Sequence, residues 1–264
     1  MGYASLLRTV SRKSFMADPF IITQEKSTSP VLLVADHASR HIPEEYKALG
    51  IEDPALLRRH VAWDIGIEDV TRRMSEKLDA TAIYSTFSRL LVDANRYPDD
   101  TASMPAVSDG VHVPANETIS DADRKERLDR FFYPYHRKLE NLVKAKAEEH
   151  ALPLVLSMHS FTPVMSDFER PWHIGILWDR DERLAVPMLD ILKKNPTLVV
   201  GDNEPYSARE PFGYTMNEHG TKLDIPHVVI EIRQDLIDTH HGAEQWANLM
   251  VDLVRQVQKR LETV

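Results

Sequence analysis

The chain contains no cysteine in its 264 residues, which excludes disulfides, thiolate catalysis and any zinc site built on sulfur. A metal would have to sit on His, Asp or Glu, the donors typical of catalytic rather than structural zinc. No apolar run approaches the length of a membrane span. Nucleotide signatures are missing, since neither Gly-x-Gly-x-x-Gly nor a Walker-type loop occurs. The Gly-x-Ser-x-Gly elbow of serine hydrolases is also absent. Basic residues are in deficit: 32 Lys and Arg stand against 41 Asp and Glu, a formal charge of −9. That balance argues against a nucleic-acid binder, yet it leaves room for one basic pocket that takes a small anionic substrate. The expected partners are thus a small anion, with no nucleic acid and no membrane, and the default location is cytoplasmic.

What is present is ordinary globular material. Hydrophobic residues make up 42% and charged residues 28%, enough for one large α/β domain. Residues 1–17 carry Arg8, Arg12 and Lys13 and no acid, a composition that mildly resembles a transit peptide. The favoured reading is a frayed tail, or an upstream start with Met16 as the true beginning. The catalytic domain is therefore expected to span 18–264.

Strand-like runs recur at 31–35, 81–84, 90–92, 154–158, 174–178, 198–200 and 227–232. Helical patterns alternate with them at 64–78, 121–149, 184–192 and 243–261, which points to an α/β layer fold with helices on both faces of the sheet. Within 121–149, Leu128, Phe131, Phe132, Tyr135 and Leu139 follow helical spacing and read as core, and Pro134 should kink or split that helix. The last helix is expected to pack Trp246, Leu253 and Val257 on the sheet, although the same face could serve a homo-oligomer. Two irregular stretches, 96–120 and 201–220, have the length of binding loops.

Three apolar runs end in chemistry. Val31 to Ala35 delivers Asp36 and His37, Leu154 to Met158 delivers His159, and the third run carries Glu231 and Arg233. Ligands of open α/β sheets bind outside the carboxyl ends of the strands, so two imidazoles and a carboxylate are aimed at one place. Neutral imidazole is a good zinc ligand, and catalytic zinc needs three protein ligands with one position left for water. His37 and His159 are therefore candidate ligands. For the third, Asp64 is favoured, with Glu44 and His60 as alternatives; Asp64 could instead cap the helix that follows. An acid inside an apolar strand is unfavourable unless paired or functional. Glu231 is accordingly either neutralised by Arg233 or the general base. Arg89 and Arg96 suit bidentate carboxylate recognition, with surface pairing to Asp93 or Asp99 as the ordinary explanation. Asn203 and Ser207 lie in a polar loop that could orient a substrate.

Taken together, the segments Asp36–Ser39, His60–Gly66, Ser88–Arg96, Ser157–Pro163, Asn203–Ser207 and Ile230–Arg233 resemble the N-formylglutamate amidohydrolase family. The resemblance runs in order over nearly all the chain. It implies a three-layer α/β/α sandwich around a mixed sheet, as in zinc carboxypeptidases and phosphorylase/hydrolase-like folds. It implies probe-able chemistry as well: zinc-dependent hydrolysis of N-formyl-L-glutamate to formate and L-glutamate, a closing step of histidine degradation. By the same resemblance His37 and His159 correspond to metal ligands and Glu231 to the base. One departure stands out. Carboxypeptidase relatives carry His-x-x-Glu at the first ligand, whereas His37 is followed at that spacing by Arg40, so another acid must complete the site or the metal is held more weakly. Two rival readings are a zinc hydrolase for another N-acyl amino acid or short peptide, and a metal-free binder of acidic metabolites.

Overall fold

Side chains alternate across a strand, and here both sides of every central strand are apolar, which demands cover on both faces. The computed structural model describes residues 18–209 and 213–262; the expected tail at 1–17 lies outside them. Its strands are β1 (Phe20–Thr23), β2 (Val31–Ala35), β3 (Thr81–Ser85), β4 (Val107–Ser108), β5 (Val111–His112), β6 (Leu154–Phe161), β7 (Val164–Met165), β8 (Phe168–Glu169), β9 (Ile174–Leu177), β10 (Val200–Asp202) and β11 (His227–Arg233). Seven of them form one mixed sheet in the order β1-β3-β2-β6-β11-β9-β10. The central four, β3, β2, β6 and β11, run parallel, while β1 and the β9–β10 pair run the other way. Strands β4–β5 and β7–β8 are separate hairpins.

The helices are α1 (Ile67–Leu78), α2 (Pro114–Glu117), α3 (Asp121–Arg127), α4 (Tyr133–Glu149), α5 (Glu182–Leu192), α6 (Tyr214–His219) and α7 (His240–Leu261). Val31, Leu33 and Ala35 of β2 face the layer of α1, α5 and α7, where Trp246, Leu253 and Val257 are buried. Leu32 and Val34 face the opposite layer of α4 and α6, with Phe131, Phe132, Tyr135 and Leu139. The result is the expected three-layer α/β/α sandwich on a mixed sheet.

Several boundaries differ from expectation for physical reasons. The first helix starts at Ile67, not Asp64, because Gly66 in a left-handed conformation (φ 80°) turns the chain there. The long helix is indeed divided: a π-helical turn, Leu128–Phe132, separates α3 from α4, and Pro134 sits in the first turn of α4. The backbone stays helical through that turn, so Pro134, which has no N–H, leaves a gap in the hydrogen-bond ladder that the widened π turn accommodates. The run 90–92 is not a strand but a buried turn whose Leu90 and Leu91 fill the core beneath α4. Its continuous hydrophobicity reflects that burial rather than sheet pairing. Helix α7 begins three residues early, capped by Thr239, whose hydroxyl accepts from Gly242 N at 3.1 Å. Among the described residues, no helix is long and apolar enough to cross a membrane.

Candidate metal centre and active site

Three parallel strands end at the same edge of the sheet, and the site is built there. Strand β2 stops at Ala35, so Asp36 and His37 project from its carboxyl end. His159 and Glu231 are register partners on the adjacent parallel strands β6 and β11. Partners in register point to one face, here the face that carries α4 and α6. The turn before α1 brings the fourth group: Asp64 N donates to His37 O at 2.9 Å. A second anchor holds the 88–96 segment over this turn, where Ser88 Oγ donates to Ala62 O at 2.8 Å and Ser88 N to His41 O at 2.8 Å.

His37, Asp64 and His159 are all buried, and one donor atom from each lies within 4.8 Å of the others. Asp64 Oδ2 is 2.9 Å from His159 Nδ1 and 3.5 Å from His37 Nδ1. The outer nitrogens face acids. His37 Nε2 is 2.7 Å from Asp93 Oδ1, and His159 Nε2 is 3.0 Å from Ser157 Oγ and 3.6 Å from Asp36 Oδ2. Asp36 is fixed in turn by Tyr135, whose hydroxyl donates to its Oδ1 at 2.8 Å. An imidazole that donates through Nε2 keeps its lone pair on Nδ1. His37 Nδ1 is buried and has no hydrogen-bond partner. That orphaned nitrogen beside a second imidazole and a carboxylate fits a divalent ion, and carboxylates behind metal-ligating histidines are the usual way to orient them.

The electrostatics follow from crowding four acids and two imidazoles in a dry place. Burial opposes the ionised form of Asp64 and Asp93, but the imidazoles and Arg89 outweigh it and hold both carboxyls far below the usual range. Burial likewise opposes a proton on His159, yet the nearby carboxylates of Asp36 and Asp64 push its pKa well above the ordinary value. Glu231 behaves oppositely. Burial raises its pKa to about 7, only partly offset by the positive charge of His159. Its Oε2 is buried with no hydrogen-bond partner.

Each sequence-predicted residue can now be placed. His37, Asp64, His159, Glu231, Arg89 and Arg96 all line one cavity of about 450 Å³, with His60 at its wall. Asp64 is not a helix cap, since Gly66 takes that position. Glu44 is exposed in a 3-10 turn and takes no part in the cluster. Arg233 does not neutralise Glu231; its guanidinium pairs with Asp235 at 2.8 Å. Arg89 makes the pair with Asp93 that is its ordinary explanation, gripping Oδ2 at 2.9 Å, but does so half-buried at the cavity wall, and it also reaches Asp64 Oδ1 at 3.3 Å. Asn203 and Ser207 do not line that cavity. Asn203 Oδ1 accepts from Trp178 N and Ala208 N at 3.0 and 3.1 Å, and Ser207 Oγ accepts from Arg209 N, so both shape their own loop. The loop contributes Tyr206 to the cavity instead. The sequence places Asp36 beside His37 and Asp93 as an arginine partner but gives neither a role behind the imidazoles, and it gives Tyr135 none beyond packing. Asp36 and Asp93 each lie next to a recognised motif residue, but nothing in their spacing marks them as partners of imidazoles, and Tyr135 reads as core.

A mixed sheet covered by helices on both faces, with a His-Asp-His cluster at the carboxyl ends of its parallel strands, defines a three-layer α/β protein with a candidate metal site. The chain belongs to the N-formylglutamate amidohydrolase family, whose model matches residues 29–238. Among solved structures it is similar to a gene product of Agrobacterium tumefaciens, with 33% identity, a TM-score of 0.89 and coverage of 93% of this chain and 97% of that one. It is also similar in fold to N-formylglutamate amidohydrolase from Ralstonia eutropha, with 19% identity, a TM-score of 0.68 and coverage of 94% and 100%. A search of curated proteins returned no significant match.

Proposed function

We propose that this protein is a zinc-dependent amidohydrolase that cleaves the amide of an N-acyl amino acid, with N-formyl-L-glutamate as the substrate nominated by its family. The observation that carries the reading is Glu231: a buried carboxylate with an unpartnered oxygen, beside the His37–Asp64–His159 group. A carboxylate with a pKa near the working pH is suited to take and return a proton, and Glu231 sits at about 7.

His37 through Nδ1, His159 through Nδ1 and Asp64 through Oδ2 would hold the ion. Zinc bound there supplies Lewis acidity and a water acidic enough to react near neutral pH. Glu231 receives the proton of the attacking water and delivers it to the amide nitrogen as the carbon–nitrogen bond breaks, releasing acid and free amine. Arg96, at the cavity wall, meets the substrate α-carboxylate, a pairing for which a guanidinium fork is suited. Arg89 keeps Asp64 and Asp93 ionised and in place, so its part is positioning rather than substrate capture. The small anionic substrate expected from composition fits this arrangement.

Formate release from N-formyl-L-glutamate, measured with and without added zinc, tests the reading. Zinc-dependent turnover supports it, and E231Q should lose between about 10²- and 10⁴-fold in kcat while retaining fold and metal. Near-normal kcat in E231Q removes the base. Tight, metal-independent binding of the same compound without turnover would favour a binding protein instead.

A further inference from the structure

Arg170 is a buried cation that faces only neutral groups. It is 7% exposed, and among the described residues its guanidinium finds no carboxylate. Nη1 donates to Tyr206 Oη at 3.0 Å and to Thr162 O at 3.3 Å, and Nη2 donates to Met165 Sδ at 3.0 Å. The guanidinium also lies against the Tyr206 ring, 4.8 Å from its centroid. Its backbone is clamped on both sides: Arg170 N donates to Pro163 O at 2.8 Å, and Arg170 O accepts from Arg233 Nη1 at 3.3 Å. A charge held this way is unfavourable unless opposite charge comes to meet it. Tyr206 carries its field toward the active site, because it lines the same cavity as Glu231, His159 and Arg89.

We propose that Tyr206, held and polarised by Arg170, is a catalytic residue whose O–H donates to the oxygen of the scissile carbonyl as that oxygen gains negative charge. The proposal rests on the amidohydrolase reading and adds a donor to it. A phenol has one hydrogen to give. With Arg170 bonded to the oxygen, that hydrogen is directed elsewhere, and among the described residues nothing accepts it. The bond from the guanidinium polarises the O–H and makes it a stronger donor. Burial and the charge of Glu231 raise the pKa of Tyr206 while Arg170 pulls it the other way, so the phenol keeps its proton near neutral pH.

The loop that presents Tyr206 is rigid. A Cβ at Gly175 or Gly201 would lie 2.0 or 2.5 Å from Glu204 O, so the sheet accepts the loop only where it has no side chain. A donor fixed in advance needs no reorganisation when charge develops, and this is where such groups act most strongly. The permanent carboxylates of the substrate are poorer partners for it, since a guanidinium fork matches them better. Tyr206 is also close enough to Glu231 to feel its charge, and Glu231 serves the reacting carbon. No proton leaves Tyr206: the carbonyl re-forms as the carbon–nitrogen bond breaks, and the hydrogen bond relaxes.

An interaction made only as charge appears raises kcat and leaves KM nearly unchanged. The test measures both for formate release from N-formyl-L-glutamate by the zinc-loaded parent, Y206F, R170M and the double variant. We expect Y206F to lose about 10²- to 10³-fold in kcat with KM within about threefold of the parent, and with unaltered zinc content and melting temperature. R170M should lose about tenfold or more alone, yet change kcat by less than about threefold in the Y206F background, because it acts through that hydroxyl. A near-normal kcat in Y206F overturns the proposal while leaving the amidohydrolase reading intact. So does a loss confined to KM, which would make Tyr206 a ground-state binding group, and so do multiplicative losses in the double variant. Should R170M fail to fold, the kcat and KM of Y206F decide alone. If the zinc-loaded parent releases no formate, the amidohydrolase reading falls and takes the proposal with it.

Discussion

At the residue scale, Glu231 sets function against stability. Its unfolded-state pKa is near the ordinary 4.5, and burial raises the folded value to about 7. A folded carboxyl with a raised pKa binds its proton more tightly than the unfolded one, so stability falls as pH rises between these values and then levels off. In metal-free protein, E231Q should therefore be more stable than the parent above pH 7, by on the order of 3 kcal/mol, with the gain vanishing below pH 4. Chemical denaturation in chelator across that pH range measures it; a constant difference would mean that burial does not govern this group. Asp93 works the other way, because its interactions favour the charged form. D93N leaves the His37 ring in place but weakens the acceptor behind Nε2, and metal affinity should drop by about 10- to 100-fold. Competition with a chromogenic chelator reads that change, and an unaltered affinity would show that the His37–Asp93 contact is only structural.

At the element scale, the site depends on the turn between Asp64 and α1. Gly66 adopts φ 80°, and a Cβ placed there would lie 2.2 Å from Ile237 O. G66A should thus cost more than about 2 kcal/mol through left-handed strain and overlap, and should weaken metal binding because the same turn carries Asp64. A denaturation midpoint close to that of the parent would contradict this. The elements themselves were largely legible in the sequence. Strands at 31–35 and 81–84 match almost residue for residue, because parallel central strands are continuous apolar runs. The run at 90–92 misled for the same reason: hydrophobicity reports burial, and a buried turn carries as much of it as a strand. The site was legible where an apolar run gave way to a polar residue at or near the carboxyl end of a strand, as for His37, His159 and Glu231. Asp93 was not, since its contact with His37 spans 56 residues and depends on a loop fold that no periodicity encodes.

At the scale of the whole molecule, the candidate ligands join three separate segments: the end of β2, the turn before α1, and β6. An ion bound to all three would favour only the folded state. At a hundred times the dissociation constant this adds about 2.7 kcal/mol, which for a chain of this size corresponds to roughly 5–10 °C in Tm. Chelation should lower Tm by that amount, zinc should restore it, and H159A should abolish the response. A melting temperature indifferent to chelator and zinc would remove the metal from this account.

The pairing of His159 with Glu231 across two hydrogen-bonded strands has a further consequence. Their separation is locked to the backbone ladder, and a one-residue slip would swing the carboxylate into the opposite core, under Trp246. The segments bordering the cavity carry no such constraint, because they lie outside the ladder that fixes this pair.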